Sequence, residues 1–310
     1  MSLKNRDVIS VKDFSKTEIT EILAYSKKML PYAKGEKHTD LLNGKIISTL
    51  FFEPSTRTRL SFESAAHRLG AQVIGFADPG GTSQKKGESL ADSIRMADAY
   101  SDAIVIRHPK EGAARLSAEF SKSPVLNAGD GAGQHPTQCL LDLFTILLEK
   151  KKIEGNKVVL VGDLKYGRTV HSLAYALALF GAELTFVSPQ SLKMPKEVIA
   201  ECNCFGVEPS STTNLDNAIK DADVLYVTRI QKERFPDAEE YSKVIGSYKI
   251  DNDVLKNTKE DLIIMHPLPR VTEIDPSVDK TNHAVYFKQA FNGVPVRMAL
   301  LSLILGGKKL

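Results

Sequence analysis

Short runs rich in Val, Ile and Leu alternate with helical stretches along nearly the whole chain, and this alternation constrains the fold more than any single motif. The runs at 46–52, 73–76, 103–106 and 125–128 are mostly apolar, as in buried strands, and helical spacing fills the gaps near 56–69, 88–100 and 112–120. A second series repeats the arrangement, with strands at 158–161, 184–187, 224–227 and 262–265 and helices near 168–180, 195–203 and 214–220. Strand–helix–strand order of this kind builds parallel sheets with helices on their faces. The expected fold is therefore α/β with two domains, each a mostly parallel sheet flanked by helices, joined by interdomain helices.

With 310 residues the chain is long enough for two domains. Ser15 to Glu18 is a capping box, and Ile19, Ile22, Leu23 and Leu30 follow at helical spacing, so an amphipathic helix comes first. No Pro/Gly/Ser linker divides the two series. Instead 136–152 carries Leu140, Leu141, Leu143, Phe144, Leu147 and Leu148, a pattern too wide for one stripe and suited to a rigid helix between domains. The last helix, about 287–305, is similarly apolar and is expected to return to the first domain. The expected division is 1–135 plus 290–310, an interdomain helix at 136–150, and a second domain at 151–289.

Charges are scattered, 41 basic against 38 acidic, which gives no reason to invoke nucleic acid as a partner. The three cysteines are odd in number and lack zinc-ligand spacing, so a reducing cytoplasm without structural zinc is expected. The polar N-terminus has no apolar signal core, and the apolar stretch 298–305 is too short to span a bilayer. Neither a membrane nor a targeting step is expected.

Chemistry-bearing residues cluster just after the strands. Ser55, Thr56, Arg57, Thr58 and Arg59 follow the run 46–52 and open a helix, where free N–H groups, the positive dipole end, hydroxyls and a forked guanidinium suit a phosphate. The plain alternative is an N-cap at Ser55 beside solvated arginines. The glycine-rich segment 129–134, read as a flexible loop, leads into His135, Pro136 and Gln138. A neutral His135 could donate to a carbonyl and Gln138 could hold an amide, although a loop histidine is commonly a cap. Arg107, again after a strand, adds a cation at the same edge. In 265–270, Pro267 and Pro269 flank Leu268, which stiffens a turn that could expose carbonyls or merely end a strand. Gly162 to Thr169 has Walker A spacing with Arg168 in the place of the lysine, but no partner acid follows. Arg168, with Arg229 and Gln231 after the run 224–227, suits a dicarboxylate. The loop 80–88, holding Ser83, Lys85 and Lys86, reads on composition as a solvated connection.

Taken together, 52–59, His135 to Gln138 and His266 to Arg270 resemble, in order and across the whole length, the catalytic chains of the aspartate carbamoyltransferase family. The resemblance implies a carbamoyl-phosphate-binding first domain and an L-aspartate-binding second domain. It implies that Ser55, Thr56, Arg57 and Thr58 hold the phosphate and that Thr58, Arg107 and His135 polarise the carbamoyl oxygen. Gln138 and the carbonyl of Leu268, before a cis Pro269, would take the carbamoyl amide; Arg168, Arg229 and Gln231 would grip aspartate, and Arg297 would buttress the site. Ser83 and Lys86, or Lys85 in its stead, match a loop that reaches a neighbouring subunit's site, with Lys86 meeting both substrates. A catalytic homotrimer, a possible regulatory chain, no metal or cofactor, and the committed step of pyrimidine biosynthesis are further implications.

The nearest rival is ornithine carbamoyltransferase, which shares the phosphate element but usually has a cysteine where Pro267 stands. A nucleotide-binding protein using Gly162 to Thr169 is a rival of another class, and a noncatalytic binding protein is a third.

Overall fold

The computed structural model describes residues 3–230, 239, 244 and 246–306. These form two compact units, one comprising Met1–Phe144 with Phe291–Leu310 and the other Thr145–Ala290. The division falls inside helix α5, Pro136–Lys150, and inside the C-terminal helix Tyr286–Ile304. Helix α1, Lys16–Ala33, starts as its capping box requires, with the Ser15 hydroxyl accepting from the Glu18 N–H and the Glu18 carboxylate accepting from the Ser15 N–H.

In the first unit, β1 (Ile46–Phe51), β2 (Gln72–Phe76), β3 (Ala103–His108) and β4 (Val125–Asp130) form a parallel sheet in the order β2-β1-β3-β4. Helices α2 (Thr56–Arg68), α3 (Leu90–Tyr100) and α4 (Ala113–Phe120) connect the strands. Leu50, Ile94, Ile104, Ile106 and Val125 meet in one apolar cluster, which fixes the heights at which β1 and β3 release their loops. The expectation that every early strand is buried fails for β2, where Ile74 is 41% exposed. An edge strand has a neighbour on one side only, and apolar composition does not report position in the sheet. Gly75 in β2 is obligatory, because a Cβ there would lie 2.1 Å from the Thr49 carbonyl oxygen.

The second unit holds β5 (Lys157–Val161), β6 (Glu183–Val187), β7 (Ser210–Thr212), β8 (Val224–Val227) and β9 (Ile263–Met265), all parallel, in the order β7-β6-β5-β8-β9. Helices α6 (Arg168–Leu179), α7 (Lys196–Asn203) and α8 (Leu215–Ile219) flank it. The edge strand β7 reads Ser-Ser-Thr and carries no apolar signal, so hydrophobic pattern misses it. In each unit the strand order reverses once, between β1 and β3 in the first and between β5 and β8 in the second. Loops leaving the carboxyl ends of such strands diverge and open a crevice, which is where parallel sheets bind ligands.

Candidate functional sites at the two strand-order reversals

The loop after β1 is tied to the end of β3 by the Phe52 N–H, which donates to the Arg107 carbonyl at 2.8 Å. Ser55 occupies the N-cap of α2 but makes no side-chain capping bond, so the plain-cap alternative does not account for its hydroxyl. Thr56 and Arg57 are exposed and Thr58 is buried, and the first turn of α2 carries no acidic residue to offset its positive end. Arg59 is held by Glu63 at 2.6 Å, whereas Arg57 has no ion-pair partner among the described residues. Across the reversal, the Arg107 guanidinium is fixed by the Ala128 carbonyl at 3.1 Å and Glu53 at 3.2 Å. Glu53 lies inside the motif 52–59, but nothing in its local spacing marks it as the partner of Arg107, 54 residues on.

Gly129 and Asp130, read from sequence as part of a flexible loop, are the last residues of β4, and Asp130 ties the rest of the segment 129–134 to its surroundings. Asp130 accepts from the Asn127 amide at 3.0 Å, the Gln134 N–H at 2.8 Å and the Gly112 N–H at 2.9 Å. Gly131 has φ +48°, and a Cβ there would lie 2.7 Å from the Glu111 nitrogen. This segment delivers His135, 4% exposed, to the start of α5, where its carbonyl accepts the Gln138 and Cys139 N–H groups. Gln138 donates Nε2 to Asp142 at 2.9 Å, which turns its Oε1 into the amide's acceptor end.

Arg297, from the C-terminal helix, lies buried beneath these elements. It donates to Thr137 Oγ1 at 3.2 Å and to Ser61, and its guanidinium stacks over Phe62 at 4.7 Å. Burial pushes its pKa down to about 9, against the opposing pull of Asp142. It thus links the second turn of α2 to the first turn of α5. Ser83, Lys85 and Lys86 are exposed in a 3-10 turn, Ser83–Lys86. Among the described residues, no side-chain hydrogen bond or ion pair links them to the Ser55–Thr58 loop.

In the second unit, β5 and β8 approach so closely that a Cβ on Gly162, at φ +121°, would lie 2.3 Å from the Thr228 carbonyl oxygen. The following loop closes on itself. Asp163 accepts the Tyr166 N–H at 2.9 Å, His171 Nε2 lies 2.8 Å from the Leu164 carbonyl oxygen, and a Cβ on Gly167 would lie 2.6 Å from the Asp163 carbonyl oxygen. These contacts hold the loop closed on its own backbone, and Arg168 stands where the Walker lysine would, which together argue against the Walker-type reading. Arg168 begins α6 at 8% exposure, and Arg229 is half-buried just after β8. Gln231 lies outside the described residues.

After β9 the chain turns at His266–Arg270. The Leu268–Pro269 peptide is cis and Leu268 has φ +54°. His266 donates its N–H to Gln289 Oε1 at 2.8 Å, accepts the Leu268 N–H on Nδ1 at 2.8 Å, and meets Glu273 Oε1 through Nε2 at 2.8 Å. Arg270 pairs with Asp279 and stacks over Tyr286, a structural role. His266 and Glu273 carry no distinctive spacing as a pair, and only the folded turn brings them together.

Residues 6–148 match the family model described as aspartate/ornithine carbamoyltransferase, carbamoyl-P binding domain, and residues 154–304 match the Asp/Orn binding domain of that family. The chain is 60% identical over 306 residues to the aspartate carbamoyltransferase catalytic subunit of Thermococcus kodakarensis, covering 99% of each chain. It is 59% identical over 303 residues to the subunit of that name from Methanothermobacter thermautotrophicus, covering 98% of this chain and 96% of the relative. Among solved structures, the catalytic subunit of M. jannaschii aspartate transcarbamoylase superposes with a TM-score of 0.90 at 54% identity, covering 97% and 98% of the two chains. Aspartate transcarbamoylase from Trypanosoma cruzi, in complex with carbamoyl phosphate and aspartate, superposes with a TM-score of 0.92 at 40% identity, covering 98% of each. No helix among the described residues is long and apolar enough to cross a membrane.

Proposed function

We infer that this chain, which belongs to the aspartate/ornithine carbamoyltransferase family, transfers the carbamoyl group of carbamoyl phosphate to the amine of L-aspartate, giving N-carbamoyl-L-aspartate and phosphate. The observation that carries this reading is the full-length identity of about three residues in five to relatives named for aspartate. The residue roles fit it. Ser55, Thr56, Arg57 and Thr58 hold the phosphate at the positive end of α2. Thr58, Arg107 and His135 surround the carbamoyl oxygen, and Glu53 with the Ala128 carbonyl keeps the Arg107 fork oriented. Gln138 Oε1 and the Leu268 carbonyl accept from the carbamoyl amide. Arg168 and Arg229, with Gln231, bind the carboxylates of aspartate, and Pro267 in the place of a cysteine argues against ornithine.

The neutral amine attacks the carbamoyl carbon, a C–N bond forms, and a tetrahedral oxyanion develops. Fixed cations and hydroxyls stabilise that charge. Collapse breaks the C–O bond to phosphate, and the departing phosphate takes the amine proton. Phosphate release measured with L-aspartate or L-ornithine as acceptor tests the reading: release with aspartate is expected, and faster release with ornithine overturns it.

The finer expectations belong to the same reading: a cytoplasmic catalyst of the committed pyrimidine step, working as a homotrimer to which a regulatory chain could bind. In the trimer Ser83 and Lys86, exposed here, serve a neighbouring subunit's Ser55–Thr58 loop. Arg57→Ala and Lys86→Ala proteins are each expected to be nearly inactive, and activity should return in hybrids reassembled from the two. Verified hybrids without recovery contradict a shared site.

A further inference from the structure

The turn after β9 contains a buried relay that binding of the two substrates does not by itself explain. Leu268 sits at φ +54°, a left-handed conformation that a leucine adopts only where its surroundings over-determine it. The restraint is visible: the Leu268 N–H is bonded to His266 Nδ1 at 2.8 Å. Because that nitrogen accepts from an amide, the imidazole proton resides on Nε2, which donates to Glu273 Oε1 at 2.8 Å. Glu273 Oε2 accepts the Val271 and Thr272 N–H groups at 3.1 and 3.0 Å, and His266 is anchored further by its own N–H to Gln289. His266 is 2% exposed and Glu273 is 9% exposed, so little water competes for these bonds. The relay ends at a group left open: the half-buried Leu268 carbonyl accepts no hydrogen bond among the described residues, and Pro269 after it has no N–H.

We propose that His266, oriented by Glu273, is a positioning residue that fixes the Leu268 carbonyl as an acceptor for the donor's amide, and thereby sets the preference for a carbamoyl over an acetyl phosphate. The proposal rests on the carbamoyl-phosphate reading above. An acetyl group differs from a carbamoyl group by a methyl in the place of the NH₂. A held carbonyl therefore favours the carbamoyl donor and gives nothing to the acetyl one, whereas the phosphate ligands serve both alike. His266 touches no reacting atom; it acts through Leu268.

The test is the ratio of the dissociation constants of acetyl phosphate and carbamoyl phosphate, measured by titration calorimetry on the full chain. His266→Ala should lower this ratio roughly three- to tenfold by weakening carbamoyl phosphate alone. His266→Asn should restore much of it, because an Asn oxygen can accept the N–H two residues on as Nδ1 does. Should His266→Ala fail to fold, Glu273→Ala, which releases the imidazole without removing it, is expected to lower the ratio to a smaller extent. A wild-type protein that binds both acyl phosphates equally overturns the amide contact and the reading beneath it. A wild type that discriminates, with variants that discriminate equally or that weaken both ligands alike, overturns only the role of His266.

Discussion

The turns β1–α2 and β5–α6 are built from the same parts, a buried strand, a tight loop and a helix with arginine in its first turn, yet they offer different chemistry. After β1 the N-cap hydroxyl of Ser55 is unengaged, Thr56 and Arg57 are exposed, and the helix end stands open. After β5 the loop folds against itself through Asp163, Gly167 and His171, and one buried cation, Arg168, marks the helix start. An open helix end with several donors suits the compact, highly charged phosphate of the donor. A closed loop presenting single guanidinium groups suits separate carboxylates, which need two forks held apart. The lesson is that loop packing at the strand-order reversal, more than loop spelling, decides what a parallel sheet binds.

Arg57→Ala should break this contrast most severely, lowering kcat/KM by roughly two to three orders of magnitude, the scale of removing one preorganised donor to developing charge. A loss of less than about tenfold would mean that the open turn does not carry the phosphate. Arg229→Ala should do less and do it elsewhere: the aspartate KM rises and kcat falls by at least roughly tenfold while the carbamoyl phosphate KM stays near its wild-type value. Equal changes in both KM values would erase the division between the two turns.

The smallest expected effect is on stability. Burial alone would raise the Glu273 pKa, but the hydrogen bond from His266 and backbone donors outweigh it and hold the pKa below its ordinary value of 4.5. The folded state therefore binds this proton less readily than the unfolded state does. The resulting stabilisation is present above about pH 4.5 and fades as pH falls through the folded-state pKa. Glu273→Gln should destabilise the protein near neutrality, with the gap to wild type narrowing in acid. Denaturant titrations at several pH values check the sign, and a gap that widens in acid refutes it.

Much of this arrangement is legible in the sequence because buried parallel strands are spelled as short, mostly apolar runs. The runs at 46–52 and 224–227 lie on β1 and β8 almost to the residue. Edge strands escape that logic in both directions, since β2 is apolar yet exposed and β7 is polar yet paired. Ser55 to Thr58 and His135 stand out in the sequence because each local motif concentrates polar groups at a helix start. Glu53 was passed over because its contact with Arg107 joins residues distant along the chain, and the His266–Glu273 relay because it exists only once the turn closes. Spacing alone also suggests a phosphate loop at Gly162 to Thr169, where the folded loop closes on itself through Asp163 and His171.

In the proposed reading the donor is held by the turn after β1 and the acceptor's carboxylates by residues of the second unit. Equilibrium binding of carbamoyl phosphate, in the absence of aspartate, to wild-type, Arg57→Ala and Arg229→Ala proteins tests it most directly. Arg57→Ala is expected to weaken binding at least roughly tenfold, the loss of a charge-assisted pair, and Arg229→Ala to bind as wild type does. Binding lost in Arg229→Ala and kept in Arg57→Ala would contradict it.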